Sequence, residues 1–338
     1  MKHPPPKDLQ LISLTPTKNE CWIIEKFIAA AKMWAQRVII ADQGSNDGTL
    51  EAIQSAPGVE AVINDSPIFD EVHRQRLLID KARSVPGRRV LIALDADEFL
   101  SANSMESSEW QKIYEAKPGT VLRFRWVNIL PGFKRAWIPD QRKRCGFIDD
   151  GSPHSGKRIH NQRVPGGPEA PVLDLHEIVL LHFQYVSWER MRRKHRWYQT
   201  WEHLNNLKNQ PLQIYRQYNH MHGSWKEHEM FDVKPEWFDG FDKAGINFRS
   251  LTCEPITWWD KEVIELLRRH GPDHFRRLAI WDADWNKLAS QMGLKDIDLS
   301  DPRSVFEKCI HVMLEKSQNH RTNLGVRAFE KFLRATGW

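Results

Sequence analysis

Cysteine is scarce: the 338 residues contain four, at positions 21, 145, 253 and 309, far apart and with no C-x-x-C pair. That spacing excludes a disulfide scaffold and a structural zinc site, and it points to free thiols in a reducing compartment. Long apolar runs are missing too. No stretch approaches a membrane span, and Met1-Lys2-His3-Pro4-Pro5-Pro6-Lys7 is not followed by the apolar segment of a secretory signal. A cytoplasmic protein is expected, at most peripherally attached to a membrane. Nor is there a large excess of one charge. A formal +5 permits phosphorylated ligands but falls short of a dedicated nucleic-acid binder. What is plentiful is tryptophan, 15 residues, which suggests stacking surfaces as well as core.

The most informative stretch is Val90-Leu91-Ile92-Ala93-Leu94-Asp95-Ala96-Asp97-Glu98. Five apolar residues in a row read as a strand buried on both faces, and this strand runs into three carboxylates. Unpartnered buried ions are expensive, so the strand must open into a polar cleft, a metal site or both. Asp95 and Asp97 point the same way if the chain stays extended, and two hard oxygen ligands suit Mg²⁺ or Mn²⁺. A helix N-terminus that favours acids is the plainer alternative.

Around this strand the pattern alternates. Strands are expected at Leu9 to Thr15, Arg37 to Ala41 and Ala61 to Ile63, with helices from about Trp22 to Trp34, Leu50 to Ser55 and Phe69 to Arg83. Such alternation indicates a doubly wound α/β sheet whose ligands sit at the carboxyl ends of its strands, where the loops after Thr15, Ala41 and Leu94 lie.

Three segments, Leu14-Thr15-Pro16-Thr17-Lys18-Asn19-Glu20, Ile40 to Thr49 (IADQGSNDGT) and Leu94-Asp95-Ala96-Asp97-Glu98, resemble the successive signatures of family 2 glycosyltransferases of the GT-A fold, in order and spacing over residues 9–100. The resemblance implies a GT-A-type, Rossmann-like mixed sheet with helices on both faces and a sugar transfer from a nucleoside diphosphate donor, a UDP-sugar by preference. It implies that Thr15, Thr17, Asn19 and Glu20 line the nucleotide pocket and that Asp42 and its neighbour Gln43 hold base and ribose. Asp95-Ala96-Asp97 would then be the D-x-D that binds Mn²⁺ or Mg²⁺ and the diphosphate. Many members carry an acid where Gln43 stands, which leaves the identity of the base open. Arg74 and Arg76, on the helix before the D-x-D strand, are candidates to face the diphosphate, with a solvated helix face as the alternative.

Beyond residue 100, Thr120 to Asn128 alternates as an antiparallel strand should, and Pro131 to Pro171 reads as irregular, a lid or plain surface loops, with Lys157, Arg158 and Arg163 among its cations. Pro171 to Val186 reads as a strand with Asp174, His176 and His182 on one face. His182 ends its apolar run, and the segment after it resembles the place where metal-dependent GT-A enzymes carry a late His as third protein ligand. The metal set expected is Asp95, Asp97 and His182. The resemblance implies inversion by direct displacement, which needs a general base. Asp149, Asp150, Glu169, Asp174 and Glu177 are candidates, with Asp174 favoured for sharing a face with His182.

A basic helix from Trp188 to about Leu207 could neutralise a leaving diphosphate or rest on anionic lipid. The expected organisation is a catalytic domain over 1–210, with donor half 9–100 and acceptor half 101–210, and a Trp-rich helical extension over 211–338. In that extension Trp281-Asp282-Ala283-Asp284-Trp285 imitates a D-x-D but follows no buried strand, so it reads as structural. The acceptor expected is a glycan or lipid-linked sugar, with protein or modified DNA left open. A nucleotidyltransferase is disfavoured because its Gly-rich loop after the first strand is absent. A non-catalytic nucleotide- or glycan-binding protein is the remaining alternative.

Overall fold

The structure, a computed structural model, describes residues 1–156, 162–206, 208–219, 230–294 and 297–338. The chain forms two compact units, Met1–Val186 with Met230–Cys253, and Ser187–Glu229 with Glu254–Trp338. The first division thus comes at residue 187, upstream of the boundary at 210 read from the sequence, and residues 230–253 return to the first unit.

In chain order the first unit contains β1 (Leu9–Thr17), α1 (Ile24–Ala31), β2 (Arg37–Asp42), α2 (Thr49–Ser55), β3 (Val59–Ile63), α3 (Glu71–Arg83), β4 (Arg88–Ala93), β5 (Glu98–Leu100), α4 (Glu109–Glu115), β6 (Val121–Ile129), β7 (Arg135–Trp137), β8 (Lys143–Ile148) and β9 (Val172–His182). After α5 (Trp188–Asn205) and α6 (Pro211–Tyr218) of the second unit, the chain adds β10 (Met230–Asp232) and α7 (Asp239–Lys243) to the first.

The described strands make one mixed sheet of order β10-β7-β6-β8-β4-β1-β2-β3, with β9 beside β6 and β5. Its parallel part, β3-β2-β1-β4, arises from three successive βα units. β8 then runs antiparallel to β4, and β6 antiparallel to β8. The sheet is thus mixed, a parallel βα half continued by antiparallel strands. Alternate residues of the central strands feed two cores: Leu11, Ile40 and Ile92 meet Phe27 of α1 in one, while Ile12, Ile39 and Leu91 meet Leu78 and Ile79 of α3 in the other. Helices therefore cover both faces, and the central strands bury apolar residues on both sides.

Two expectations need correction. The segment between Pro131 and Pro171 is not irregular throughout, because β7 and β8 lie within it and β8 pairs with both β4 and β6. β9 is not a plain strand either. Asp174 pairs with Arg123 and Val179 with Arg125, so five steps on β9 match two on β6 and three extra residues bulge out. The buried Glu109 of α4 accepts the freed N–H groups of His176, Glu177 and Ile178 at 2.8–3.1 Å. This carboxylate, at the first position of α4, is what makes the bulge tolerable, since bare buried N–H groups are costly.

The second unit consists of α5, α6, α8 (Trp258–His270), α9 (Trp285–Gln291), α10 (Val305–Lys316) and α11 (Leu324–Ala335) among its described helices. Thr257 with Asp260, and Ser304 with Glu307, form capping boxes that start α8 and α10. One core joins Leu212, Tyr215, Ile310, Leu314, Leu333 and Trp338. No described helix is long and apolar enough to cross a membrane.

Candidate active site

The three loops expected at the carboxyl ends of the parallel strands do come together there. Thr17 pairs with Asp42 in the β1–β2 register, and the Thr17 hydroxyl donates to Asp42 Oδ2 at 3.2 Å. Asp42 Oδ1 accepts from the Ser45 N–H at 2.9 Å. Asn19 adopts φ 55°, a left-handed conformation asparagine tolerates, and from it exchanges bonds with the second loop: its N–H donates to Ser45 Oγ, and its Oδ1 accepts from Asn46 N–H, each at 2.8 Å. The Glu20 N–H donates to Thr49 Oγ1 at 2.8 Å. Thr15 is fully buried, and its hydroxyl has no hydrogen-bond partner among the described residues. Gln43 uses its amide nitrogen to hold the carbonyls of Ser66 and Ile68, each at 3.0 Å, so this side chain braces the loop after β3.

Arg74 lies over the Phe69 ring at 4.9 Å and near Glu71 at 3.8 Å, while Arg76 Nε donates to the His154 carbonyl at 3.0 Å. Both have local partners on or beside α3. Lys157 and Arg158 lie outside the described residues.

The D-x-D turn is a bend rather than an extended segment. Glu98 N–H closes it onto the Asp95 carbonyl at 3.0 Å, and β5 starts there, antiparallel to β9, with Glu98 opposite His182. Ala96 is buried in the core. The bend sends the two aspartates to different partners. Asp97 Oδ2 lies 3.8 Å from His182 Nε2. His182 in turn shares a hydrogen bond of 2.7 Å between its Nδ1 and Asn128 Oδ1, and its ring stacks on Trp126 with centroids 4.6 Å apart. An amide oxygen can only accept, so Nδ1 carries a proton and Nε2 is the nitrogen turned toward Asp97. Outer-shell bonds of this kind orient a metal-binding imidazole.

Asp95 instead meets Arg163, whose guanidinium spans Asp95 and Glu98. Glu98 is 0% exposed and also accepts from Trp126 Nε1 and the Asp95 N–H, each at 3.1 Å. Burial works against the Arg163 charge, but the two carboxylates outweigh it and hold its pKa above the ordinary value. Burial, and then Arg163, lower the Lys143 pKa; its ammonium sits 4.3 Å from the Trp126 ring centre. Asp95 therefore does not join Asp97 and His182 in a three-ligand group, and among the described residues no three His, Cys, Asp or Glu side chains are grouped to hold a metal. Asp97 and His182 fit a divalent ion as a pair, with the remaining positions open to water or phosphate oxygens.

Asp174 departs from its expected place. The three-residue bulge makes its sheet separation from His182 that of Arg123 from Asn128, five residues and roughly 17 Å, an odd number that puts the two on opposite faces. The Arg123 hydrogen bonds at 2.9 and 2.6 Å, with Arg142 nearby, lower its pKa, the reverse of what a base needs. Asn128 and Trp126 were missed by sequence reasoning, and Arg163 was read only as one cation among several in the segment from Pro131 to Pro171. Glu98 was read as the third acid of the stretch, without its pairing to Arg163.

Four of the α5 cations, Arg190, Arg193, Lys194 and Arg196, have partners inside the helical unit. Arg193 binds the Pro255 carbonyl at 2.6 Å and Asp260 at 3.2 Å, and Arg190 covers Trp259 at 4.4 Å. In the second D-A-D, Asp282 makes a two-pronged bond with Arg196, while Asp284 caps α9 through the Lys287 N–H at 2.9 Å. Both are structural roles, and the motif lies in the turn that leads into α9.

No family model matches the chain, and no curated protein does. Among solved structures, Staphylococcus aureus TarS residues 1–349 is 12% identical, matched over 94% of this chain and 92% of its own, with a TM-score of 0.35. Glucosyl-3-phosphoglycerate synthase from Mycobacterium tuberculosis, crystallised with Mn²⁺, UDP and phosphoglyceric acid, is 17% identical over 35% of this chain and 43% of its own, with a TM-score of 0.27. A nucleotidyl transferase from Methanothermobacter thermautotroptrophicus is 13% identical over 38% of this chain and 65% of its own, with a TM-score of 0.23. The chain thus spans under half of the synthase and just under two thirds of the nucleotidyl transferase. These likenesses carry no conclusion about activity.

Proposed function

We propose that this chain is a glycosyltransferase that moves a sugar from a nucleoside diphosphate donor, a UDP-sugar by preference, to an acceptor hydroxyl of a glycan or lipid-linked sugar, with inversion. The observation that carries the reading is the orientation of His182: Asn128 anchors its Nδ1, and its Nε2 is turned toward Asp97 at the D-x-D bend. In this reading Asp97 and His182 hold Mn²⁺ or Mg²⁺, which supplies positive charge where the departing diphosphate becomes more negative. Asp95, braced by Arg163, faces the donor without binding the ion directly. Thr17, Asn19, Glu20 and Asp42 shape the nucleotide side, with Thr15 behind them. Asp174 is not retained as the base, for the reasons of distance and charge above.

Calorimetry with UDP tests this directly. Binding is expected with Mn²⁺ and lost in chelator or in Asp97→Ala. Equal affinity in all three conditions would remove the metal from the reading. Release of UDP from UDP-sugars, rather than of pyrophosphate from a nucleoside triphosphate, separates sugar transfer from nucleotidyl transfer.

A further inference from the structure

The helical unit contains a cleft of about 460 Å³ that the proposed reaction does not use. Arg192 of α5, Trp281, Arg303, and Lys308 and His311 of α10 line it, with Tyr215 of α6. We infer that this cleft binds a phosphate group borne on a hydroxyl-rich molecule.

Arg303 is the fixed point. Its Nε and Nη2 donate to the two oxygens of Asp301, each at 2.9 Å, and its Nη1 to His311 Nδ1 at 2.6 Å. The opposite nitrogen of His311 lies 3.1 Å from the Arg277 carbonyl, which can only accept. Nε2 therefore carries the imidazole proton, and Nδ1 accepts from Arg303. Burial lowers the His311 pKa to about 4, which keeps the ring neutral and adds no repulsion beside the guanidinium. The Arg303 plane is thus set before any ligand arrives, and a guanidinium held this way offers its remaining N–H groups in the geometry that phosphate oxygens take.

Two more cations surround it. Lys308 Nζ shares Asp301 at 3.3 Å. Arg192, which is exposed, has no hydrogen bond or ion pair among the described residues. Of the lining carboxylates, Asp282 is held by Arg196 through both oxygens, which leaves Glu315 as the main opposing charge. The cleft is also far larger than a phosphate needs, and Asn219 and Glu315 suit hydroxyl groups in the remainder. A carrier with several hydroxyls fits both halves of that chemistry.

The test uses the full chain in chelator, so that metal-dependent nucleotide binding does not contribute. Calorimetry with glucose 6-phosphate, glucose and inorganic phosphate, and sedimentation with phosphatidylglycerol vesicles, separate a soluble sugar phosphate from a lipid headgroup. Glucose 6-phosphate or the vesicles should bind, inorganic phosphate should compete, and glucose should not bind. Arg192→Gln with Lys308→Gln should weaken binding roughly ten- to a hundredfold, the loss expected of charge-assisted hydrogen bonds. These exposed substitutions spare the fold, which circular dichroism checks. Asp97→Ala should leave this binding intact, and the double variant should keep Mn²⁺-dependent UDP binding, so failure of one site is distinguishable from failure of the other. Absence of binding by both phosphate probes, equal binding of glucose, or unchanged affinity in the folded double variant would overturn the assignment.

Discussion

At the scale of single residues, His182 and Arg163 divide the D-x-D between them. Replacing His182 by Ala, or its anchor Asn128 by Ala, is expected to lower Mn²⁺ affinity by about ten- to a hundredfold while the chain stays folded, the usual effect of losing a ligand's orientation. A Mn²⁺ titration monitored by electron paramagnetic resonance reads this. An unaltered titration in folded His182→Ala would take the residue out of the site. Arg163 serves a different end, since Glu98 is 0% exposed and would be an unpaired ion without it. Arg163→Gln is expected to cost about 3–5 kcal/mol, whereas Arg163→Gln with Glu98→Gln should cost less than the sum of the single changes. Urea unfolding of the three variants supplies that cycle, and additive costs would show that the pair is not coupled.

Among the elements, the junction of α3, β4 and β8 is held by one carboxylate. Asp149 has a fully buried side chain and binds Arg83 at 2.8 Å and Arg89 at 2.8 Å. Burial alone would raise its pKa, but the two guanidiniums and the Gly151 N–H outweigh that and hold it below the ordinary carboxylate value. A depressed folded-state pKa means that the stabilisation is complete above the unfolded value of about 4 and disappears as pH falls through the lower folded value. Asp149→Asn should therefore destabilise by about 2–4 kcal/mol at pH 7, with a gap to wild type that narrows below pH ~4. Denaturant melts at both pH values check the sign. A gap that stayed constant would mean that Asp149 is not charged in the fold.

For the molecule as a whole, the chain leaves the sheet unit at residue 187 and returns for residues 230–253. Trp237, Phe238, Phe241 and Phe248 of that return segment lie in the sheet unit's core, and Phe248 meets Phe99 of β5 with ring centroids 4.6 Å apart. Phe248→Ala is expected to cost about 3–5 kcal/mol. Because Phe99 follows the D-x-D bend, weaker Mn²⁺-dependent UDP binding should accompany the loss. Leu314→Ala removes a side chain of comparable burial from the helical unit's core. It should lower stability without changing that binding. Thermal melts paired with calorimetry distinguish the two, and an equal effect of both variants on UDP binding would refute the division of roles.

The parallel half of the sheet was legible because its strands are buried on both faces and read as short apolar runs alternating with helical patterns. Asp97 and His182 stood out as polar groups placed where apolar runs end, whereas Thr17, Asn19 and Asp42 were singled out by the family resemblance alone. The role of Asp174 was not legible, since its face depends on a bulge that Glu109, over sixty residues earlier, makes affordable. Nor was the splitting of Asp95 from Asp97, which needs Arg163 to arrive from the β8–β9 connection. Periodicity records which side of its own strand a residue faces. Where a bend breaks that strand, or a distant ion pairs with it, only the folded chain decides which groups meet.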